Sequence, residues 1–345
     1  MGTQRVGRPT ITDIAKRVGV STAAVSFALN GRPGVSEHTR KRILEAVDEL
    51  NWHPNRAARA LSGKLADTVG LVVARPARTI SIEPFFAQLL SGLQARLSAD
   101  MVALQLLVVE DMAAEIATYR RWAAEGRVDG LVLLDLEVDD PRPEIVAALG
   151  PPAVLVGGAG SPQPLPAVST DDFDAMLQII EHLVGLGHRR VGHVGGIRDF
   201  VHSAQRVAAL EAAARDHDLD ITSIPTDFSH QEAAAATTHL VRQPDPPTAI
   251  VFDSDIEALA GVAALRDAGM SIPDDVSVAS FDDSELARLV APPLTAMTRD
   301  AFALGGLVAE VLVARIRGAQ VDDVVRAPAS VLTPRASTGP VPASS

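Results

Sequence analysis

The chain has 345 residues, of which 47% are hydrophobic and 21% charged, with 43 acidic residues against 31 basic ones and no cysteine. This length predicts two or three soluble domains, and the lack of cysteine excludes disulfides and thiolate metal sites. The polar N-terminus MGTQRVGRPTITD has no apolar signal-peptide segment, and no run of about 18 apolar residues predicts a membrane span. We therefore expect a cytoplasmic protein without membrane contact.

The charge is unevenly distributed along the chain. Residues 1–64 hold 11 Lys and Arg against 5 Asp and Glu, a formal charge of +6, whereas the remaining residues carry −18. A basic segment attached to an acidic body indicates nucleic-acid binding, because basic side chains that neutralise phosphates release condensed counterions. We expect the contact with DNA to be confined to the basic segment.

Two short helices joined by a tight turn are predicted near the N-terminus. Thr12 begins the first helix, Gly19 ends it, and Ser21 begins the second. Helices in this arrangement form a helix-turn-helix, the motif that places its second helix in the DNA major groove. An ordinary αα-hairpin is the alternative.

A third helix is predicted from Ser36, with Ile43 and Leu44 in its apolar stripe and the basic run 40–42 exposed near its start. The segment NRAARALSG at 55–63 predicts a fourth helix of two turns. Isolated helices shorter than ~12–15 residues are marginal in water. This segment therefore needs a partner helix or a DNA surface to fold against.

These N-terminal residues resemble a known family. TITDIAKRVGVSTAAVSFALNG, followed by VSEHTRKRILEAVDELNWHPNRAARAL, is similar to the DNA-binding headpiece and hinge helix of the lactose/galactose-repressor (LacI/GalR) family of bacterial transcription regulators. The resemblance covers residues 10–63 without a gap. It implies DNA contacts, to bases or phosphates in the major groove and to the minor groove at the hinge, for Ser21, Thr22, Ala23, Ser26, Phe27, Asn30, Thr39, Asn55, Ala58 and Leu61.

Two of these positions shape the expected readout. Leu61 matches the leucine that wedges into the minor groove and kinks the duplex, and linker packing is its alternative role. Phe27 stands where many family members carry an arginine. Phenylalanine donates no hydrogen bond but can contact a thymine methyl group, so we expect readout through methyl contacts and DNA shape.

After Lys64, predicted strands alternate with predicted helices, which indicates parallel sheets covered by helices on both faces. The predicted strands are 68–74, 102–110, 129–136, 153–158, 190–196, 248–253, 276–282 and 294–298. The predicted helices are 84–99, 113–125, 171–186, 203–216, 229–242, 255–269 and 301–317. The Pro-rich stretch 161–172 divides them into two α/β lobes with a cleft between them.

The body resembles the periplasmic-binding-protein-like effector domain of the same family in EPFF (83–86), LVGLGHRRVGHVGGIRDF (183–200), AQRVAAL (204–210), residues 249–297 and FALGGLVAEVLV (302–313). The expected fold class is an all-α helix-turn-helix headpiece followed by two doubly wound parallel-sheet lobes. The expected domains are a headpiece 1–54, a hinge helix and linker 55–66, an effector-binding and dimerisation domain 67–335, and a disordered tail 336–345. Lobe 1 comprises about 67–165 plus 300–322, and lobe 2 about 166–298 plus 324–335.

The same resemblance implies an effector site in the cleft. Arg206 matches the family arginine that grips effector hydroxyls or carboxylates, and Asp282 matches the acid opposite it. An arginine fork facing a carboxylate suits vicinal hydroxyls. A structural salt bridge between Arg206 and Asp282 is the alternative. The expected effector-binding set is Glu83, Phe85, Arg206, Asp255, Phe281 and Asp282, with the two phenylalanines offering apolar faces to a sugar ring.

The sequence thus predicts a transcription regulator, most simply a repressor. We expect it to bind a pseudo-palindromic operator as a homodimer or a tetramer, under control of a small-molecule effector that is a sugar or polyol. A solute-binding receptor without a DNA role is the alternative. An enzyme is disfavoured because GxSxG, HExxH and phosphate-loop motifs are absent and His188, His193 and His202 lack metal-ligand spacing. We expect no catalytic residue, no metal and no cofactor.

Overall fold

The computed structural model describes residues 9–29, 31–50, 52, 65–75, 83–158 and 164–341. The chain folds as two compact units, Met1–Ala66 and Asp67–Ser345. Asn30 and residues 53–64 lie outside the described residues, so the predicted hinge helix with Asn55, Ala58 and Leu61 also lies outside them.

The first unit contains the three helices predicted for it. They are α1 (Ile11–Val18), α2 (Thr22–Leu29) and α3 (Glu37–Glu49). The prediction that Thr12 begins α1 is wrong by two residues. Thr10 precedes α1, and the carboxylate of Asp13 accepts hydrogen bonds from the Thr10 N–H and hydroxyl at 2.8 and 2.7 Å. Gly19 ends α1 with a φ of 74°, a left-handed conformation that glycine adopts without strain.

The three helices close around a small apolar core. Ile14, Val25 and Ile43 are fully buried, one from each helix. Leu44 is 45% exposed, so its predicted place in the apolar stripe of α3 is wrong.

Two side chains of the basic run 40–42 in α3 bind other helices, whereas the run was predicted to be exposed. Arg40 donates to the carbonyl of Ala28 at 2.8 Å, and Arg42 donates to the carbonyl of Val18 at 2.8 Å. These two guanidinium groups satisfy carbonyls at the C-terminal ends of α2 and α1, where intrahelical donors are lacking.

The second unit consists of two α/β lobes with six-stranded sheets. The first half of the chain supplies β1 (Thr68–Ala74), α4 (Pro84–Ala99), β2 (Ala103–Val109), α5 (Met112–Ala124), β3 (Gly130–Leu133), α6 (Arg142–Leu149), β4 (Ala153–Val156) and β5 (Ala167–Ser169). With β11 (Val324–Arg326) these strands form the lobe 1 sheet in the order β11-β5-β4-β3-β1-β2, parallel throughout.

Lobe 2 is built on the following segment of the chain. Its elements are α7 (Asp172–Gly185), β6 (Arg190–Gly195), α8 (Val201–His217), β7 (Asp220–Pro225), α9 (His230–Val241), β8 (Ala249–Phe252), α10 (Asp255–Asp267), β9 (Ser277–Ser280), α11 (Glu285–Leu289), β10 (Thr295–Thr298) and β12 (Val331–Thr333). The sheet order is β12-β10-β9-β8-β6-β7, and only β12 runs antiparallel to its neighbour.

The remaining helix, α12 (Ala301–Ile316), packs against α4 in lobe 1. The two helix backbones approach closely at Gly92 and Gly305. A Cβ atom on Gly92 would lie 1.9 Å from the carbonyl oxygen of Phe302, and one on Gly305 would lie 2.1 Å from that of Leu89. Only glycine therefore fits at these two positions.

Three predictions about the second unit need correction. Residues 167–169 and 324–326 pair with each other in lobe 1, whereas both had been placed in lobe 2. β5 and β7 are short or edge strands, and α6 and α11 are short helices, so none of these four showed a clear period. The expected lobe 2 segment 324–335 contains β11, which lies in lobe 1, and β12, which lies in lobe 2. The predicted disordered tail is wrong over 336–341, because Ser337 is fully buried and its hydroxyl donates to the carbonyl of Val278 at 2.6 Å.

The chain passes between the lobes three times, after β5, after β10 and after β11. A non-covalent bridge also joins the lobes. Val201 N–H donates to the carbonyl of Leu136 at 2.8 Å, and Val138 N–H donates to that of Asp199 at 2.9 Å. The cleft lies between these connections. No helix in the described ranges is long and apolar enough to cross a membrane.

Candidate DNA-binding face and interlobe cleft

The exposed face of α2 carries the predicted base-contacting residues. Thr22, Ala23 and Phe27 are exposed, with Phe27 at 37%, while Val25 and Ala28 on the other side of the same helix are buried. The apolar side of α2 therefore faces the headpiece core and leaves its other side open to a partner.

The predicted phosphate contacts lie at the ends of helices. The Ser21 hydroxyl accepts the Ala24 N–H of α2 at 3.1 Å, as an N-cap does. Thr39 lies in the first turn of α3, where its N–H donates to the Ser36 hydroxyl at 3.2 Å. Ser26 is half-buried on α2. Helix N-termini with exposed hydroxyls are common phosphate contacts.

The cleft between the lobes encloses a cavity of about 70 Å³. This volume is below the roughly 300–1,000 Å³ that ligand pockets typically measure. The titratable side chains on its wall are Arg75, Glu83, Asp135, Asp172, His202, Arg206, Asp253, Asp282 and Arg299.

Arg206 is the central cation of lobe 2. Its NH2 lies 2.8 Å from Asp172 Oδ1, its NH1 lies 3.4 Å from Asp253 Oδ2, and it is 3% exposed. Its guanidinium lies 3.6 Å from the centre of the Phe281 ring. Burial opposes ionisation of both carboxylates, but Arg206 and the other charges and hydrogen bonds around them together outweigh it and hold the pKa of Asp172 and of Asp253 below the ordinary range.

Arg75 is the corresponding cation of lobe 1. Its Nε lies 2.7 Å from Asp135 Oδ2 and its NH1 lies 3.2 Å from Glu83 Oε1. Three phenylalanine rings surround its guanidinium, at 5.1 Å for Phe86, 4.9 Å for Phe200 and 5.0 Å for Phe228. Burial raises the pKa of Glu83 to about 7 despite the charge of Arg75.

Arg299 lies on the segment that crosses between the lobes after β10. Its Nε and NH2 donate to Asp282 Oδ1 at 2.9 and 2.6 Å. Its guanidinium lies 4.4 Å from the centre of the Phe85 ring in lobe 1 and 5.3 Å from that of Phe281 in lobe 2. This side chain therefore contacts both walls of the cleft.

The structure brings together four of the six predicted effector residues. Glu83, Phe85, Arg206 and Asp282 line the cavity, whereas Asp255 and Phe281 do not. The Phe281 ring is covered by Arg206, and Ser254 rather than Asp255 reaches the wall. The alternative of an Arg206–Asp282 salt bridge is wrong, since Arg206 pairs with Asp172 and Asp253, and Asp282 pairs with Arg299.

Sequence reasoning missed several wall residues, although a signal was present. Arg75, Asp135, Asp253 and Arg299 each follow the end of a parallel strand within two residues. Ligands in open α/β sheets bind outside the carboxyl ends of the strands, so polar residues at these ends were identifiable candidates. No group of His, Asp or Glu within the described ranges is arranged to hold a metal ion.

Comparison with known proteins identifies the family. A model of bacterial regulatory proteins of the lacI family matches residues 10–55, and a model of the periplasmic-binding-protein-like domain matches residues 180–338. The HTH-type transcriptional regulator CelR of Thermobifida fusca is 33% identical over 328 residues, 93% of this chain and 96% of the relative. The HTH-type transcriptional repressor PurR of Photobacterium profundum is 30% identical over 312 residues, 89% of this chain and 92% of the relative.

Solved structures agree with these relatives. A complex of the transcriptional regulator CelR with cellobiose has a TM-score of 0.72 at 31% identity, and a lac repressor dimer bound to operator and the anti-inducer ONPF has a TM-score of 0.84 at 25% identity. Each match covers 96% of this chain and 100% of the other. The chain therefore belongs to the LacI family and is a DNA-binding transcription regulator.

Proposed function

We propose that this regulator is a homodimeric repressor that binds a pseudo-palindromic operator through α2 and releases or retains it according to an uncharged sugar or polyol in the interlobe cleft. It acts in the cytoplasm, where its operator lies. The relatives are transcription regulators, and we propose that this chain likewise acts by binding alone, without catalysis.

The exposed side of α2 supports the DNA part of the proposal. Thr22, Ala23 and Phe27 reach outward from a helix whose other side is fixed in the core. Two copies on a dimer would read two half-sites one helical turn apart or more, as helix-turn-helix dimers do. The hinge contacts of Asn55, Ala58 and Leu61 remain a sequence hypothesis.

The position of the cleft residues supports the effector part. Arg299 lies on a segment that crosses between the lobes and contacts a ring from each lobe, and Asp172 begins α7 directly after another crossing. A ligand that bonds to these side chains acts directly on the relative position of the lobes. This placement of Arg299 on a crossing segment, with Asp172 at the end of another, is the single observation that carries the proposal.

The charge of the cleft supports an uncharged effector over a phosphorylated one. Five carboxylates face three guanidinium groups on the described part of the wall, and each of these guanidinium groups already has a carboxylate partner. Burial lowers the pKa of His202 to about 4, which leaves it neutral. A phosphate group would therefore meet no unpaired cation among these side chains, whereas hydroxyl groups can both donate to the carboxylates and accept from the arginines.

The test measures DNA binding and effector binding separately. The full-length protein should enrich a palindromic site from random duplexes at modest ionic strength, and deletion of residues 1–62 should abolish that enrichment. Cellobiose at about 100 times its dissociation constant should stabilise both proteins by ~2.7 kcal/mol, whereas glucose 6-phosphate should not. DNA binding that survives the deletion would favour the alternative, a solute-binding receptor whose N-terminal segment plays no DNA role.

A further inference from the structure

A second cavity of about 370 Å³ lies within lobe 2, bordered by α8 and the ends of β6 and β7. This volume falls within the range of roughly 300–1,000 Å³ that is typical of small-molecule sites. Asp253 is the only wall residue, among the described residues, that this cavity shares with the cleft. Since every described wall residue belongs to lobe 2, the shape of the cavity does not depend on how the lobes are closed.

Ser203, in the first turn of α8, gives this cavity an unsatisfied polar group. Ser203 lines the cavity and is 2% exposed, and its hydroxyl oxygen has no hydrogen-bond partner among the described residues. A buried hydroxyl without a partner costs free energy. A ligand hydroxyl, carbonyl or amide group in the cavity would supply the missing hydrogen bond.

The rest of the wall indicates a ligand without net charge. Ala204, Val207 and Ala208 present an apolar surface along α8. Arg198 and Glu211 are exposed on the rim and carry opposite charges. A compact molecule with one apolar face and several hydroxyl groups fits this combination better than an anion or a cation does.

A hydrogen-bonded relay runs from this cavity to the cleft. Ser223, on the wall, lies 2.8 Å from His193 Nδ1, and His193 Nε2 lies 3.0 Å from Asp253 Oδ1. Asp253 Oδ2 in turn lies 3.4 Å from Arg206 NH1. Because His193 and Asp253 are both buried, a ligand that moves Ser223 changes the position of the carboxylate that holds Arg206.

We infer that this cavity, defined by Ser203, Val207 and Ser223, is a second binding site for a small uncharged polyhydroxy compound, linked to the cleft through His193 and Asp253. The site goes beyond the proposed effector cleft. A ligand bound there would act on Arg206 through Asp253 and not through the cleft.

The test is NMR on the full-length protein labelled at valine methyl groups and with nitrogen-15, with glycerol, D-glucose and myo-inositol as probes at millimolar concentrations. Val207 reports the second cavity, and Val156, which lines the cleft, reports the effector site. We expect at least one probe to shift the Val207 resonance in a saturable manner. Glucose 6-phosphate should not do so.

Variants distinguish the two sites. Ser203→Val should weaken probe binding roughly three- to tenfold, the equivalent of one neutral hydrogen bond, without unfolding the protein. Ala208→Trp should abolish it by filling the cavity. In Phe85→Ala, which damages the cleft, the Val207 shift should persist and the Arg206 Nε–H resonance should still respond to the probe.

Three results would overturn the inference. They are a Val207 resonance that ignores all three probes, a response that Ser203→Val and Ala208→Trp leave unchanged, and a response that disappears in Phe85→Ala. A Val207 shift without any Arg206 response would refute the link to the cleft. Failure of the effector proposal has a separate signature, a Val156 resonance that does not respond to a sugar while Val207 does.

Discussion

Each lobe presents one buried arginine to the cleft and holds it between two carboxylates, but the two arginines differ in their other neighbours. Arg206 in lobe 2 stacks on Phe281 of the same lobe. Arg75 in lobe 1 has one ring from its own lobe, Phe86, and two rings from lobe 2, Phe200 and Phe228. When the lobes separate, Arg206 keeps its surroundings whereas Arg75 loses two of three aromatic contacts.

The pKa values of the carboxylates beside the two arginines also differ between the lobes. Arg206 holds the pKa of Asp172 and Asp253 down, so that both stay ionised, whereas burial raises the pKa of Glu83 beside Arg75 to about 7. Lobe 2 therefore offers a fixed, fully charged receptor surface. Lobe 1 offers a surface whose contacts and charge change with closure and with pH.

The largest expected effect comes from removing the fixed arginine. Arg206→Ala leaves two buried carboxylates without their cation, which typically costs ~3–5 kcal/mol of folding free energy. Urea denaturation should report this loss, and the effector-induced thermal shift should vanish. Arg206→Lys, which keeps the charge but not the fork, is the matched control and should lose less stability. Equal stability of wild type and Arg206→Ala would contradict the conclusion that Arg206 stabilises the two buried carboxylates of lobe 2.

The next effect is the pH dependence of Glu83→Gln. A carboxyl whose pKa is raised by folding contributes its stability below the ordinary pKa of 4.5 and loses it as the pH rises towards about 7. The stability of Glu83→Gln relative to wild type should therefore increase between pH 5 and pH 8, on the order of 2 kcal/mol, since one pKa unit corresponds to about 1.4 kcal/mol.

Asp172→Asn is the control for this pH series. Folding lowers the pKa of Asp172 from 3.8, so its contribution is present above that value and is lost only in more acidic solution. The stability difference between Asp172→Asn and wild type should be flat between pH 5 and pH 8. Parallel curves for the two variants would refute the contrast between the lobes.

Local signals in the sequence sufficed for the headpiece. The glycine at 19, the capping serines at 21 and 36 and the apolar period predict three helices that the structure confirms, with one start displaced by two residues. Each of these signals acts over a few residues. The pairing of Arg40 and Arg42 with carbonyls of other helices depends on tertiary contact, which is why a solvated basic run was expected instead.

The cleft was harder to predict because its partners are distant in sequence. Arg206 and Asp282 were identified as wall residues, but which carboxylate meets which arginine depends on the positions of the crossing segments. Asp172 lies 34 residues from Arg206, and Asp282 lies 17 residues from Arg299. No period or spacing encodes these pairs. The short strand β11 pairs in lobe 1 instead of lobe 2, where residues 324–335 were expected, for the same reason.

A smaller effect should follow from Arg75→Met, which retains an apolar side chain of similar length but removes the charge. This change also leaves Glu83 and Asp135 without their cation, which lowers folding stability. For closure alone, loss of contacts between the guanidinium and the two lobe 2 rings should cost about 0.5–2 kcal/mol. Small-angle scattering should report a larger radius of gyration, with effector affinity reduced up to thirtyfold. Arg96→Met, which removes the ion pair with Asp100 in the same lobe, is the control and should change neither quantity.

The smallest expected effect concerns Arg299, whose side chain contacts a ring from each lobe. A double-mutant cycle of Arg299→Met and Phe85→Leu should give a coupling free energy of about 0.5–1 kcal/mol for this half-buried cation–π contact. The corresponding cycle of Arg75→Met and Phe228→Leu should give a larger value, because Arg75 is only 5% exposed. If the two couplings are equal, burial does not set the strength of these contacts. If the Arg299 coupling disappears when the effector is bound while the Arg75 coupling grows, ligand binding has exchanged one interlobe contact for the other.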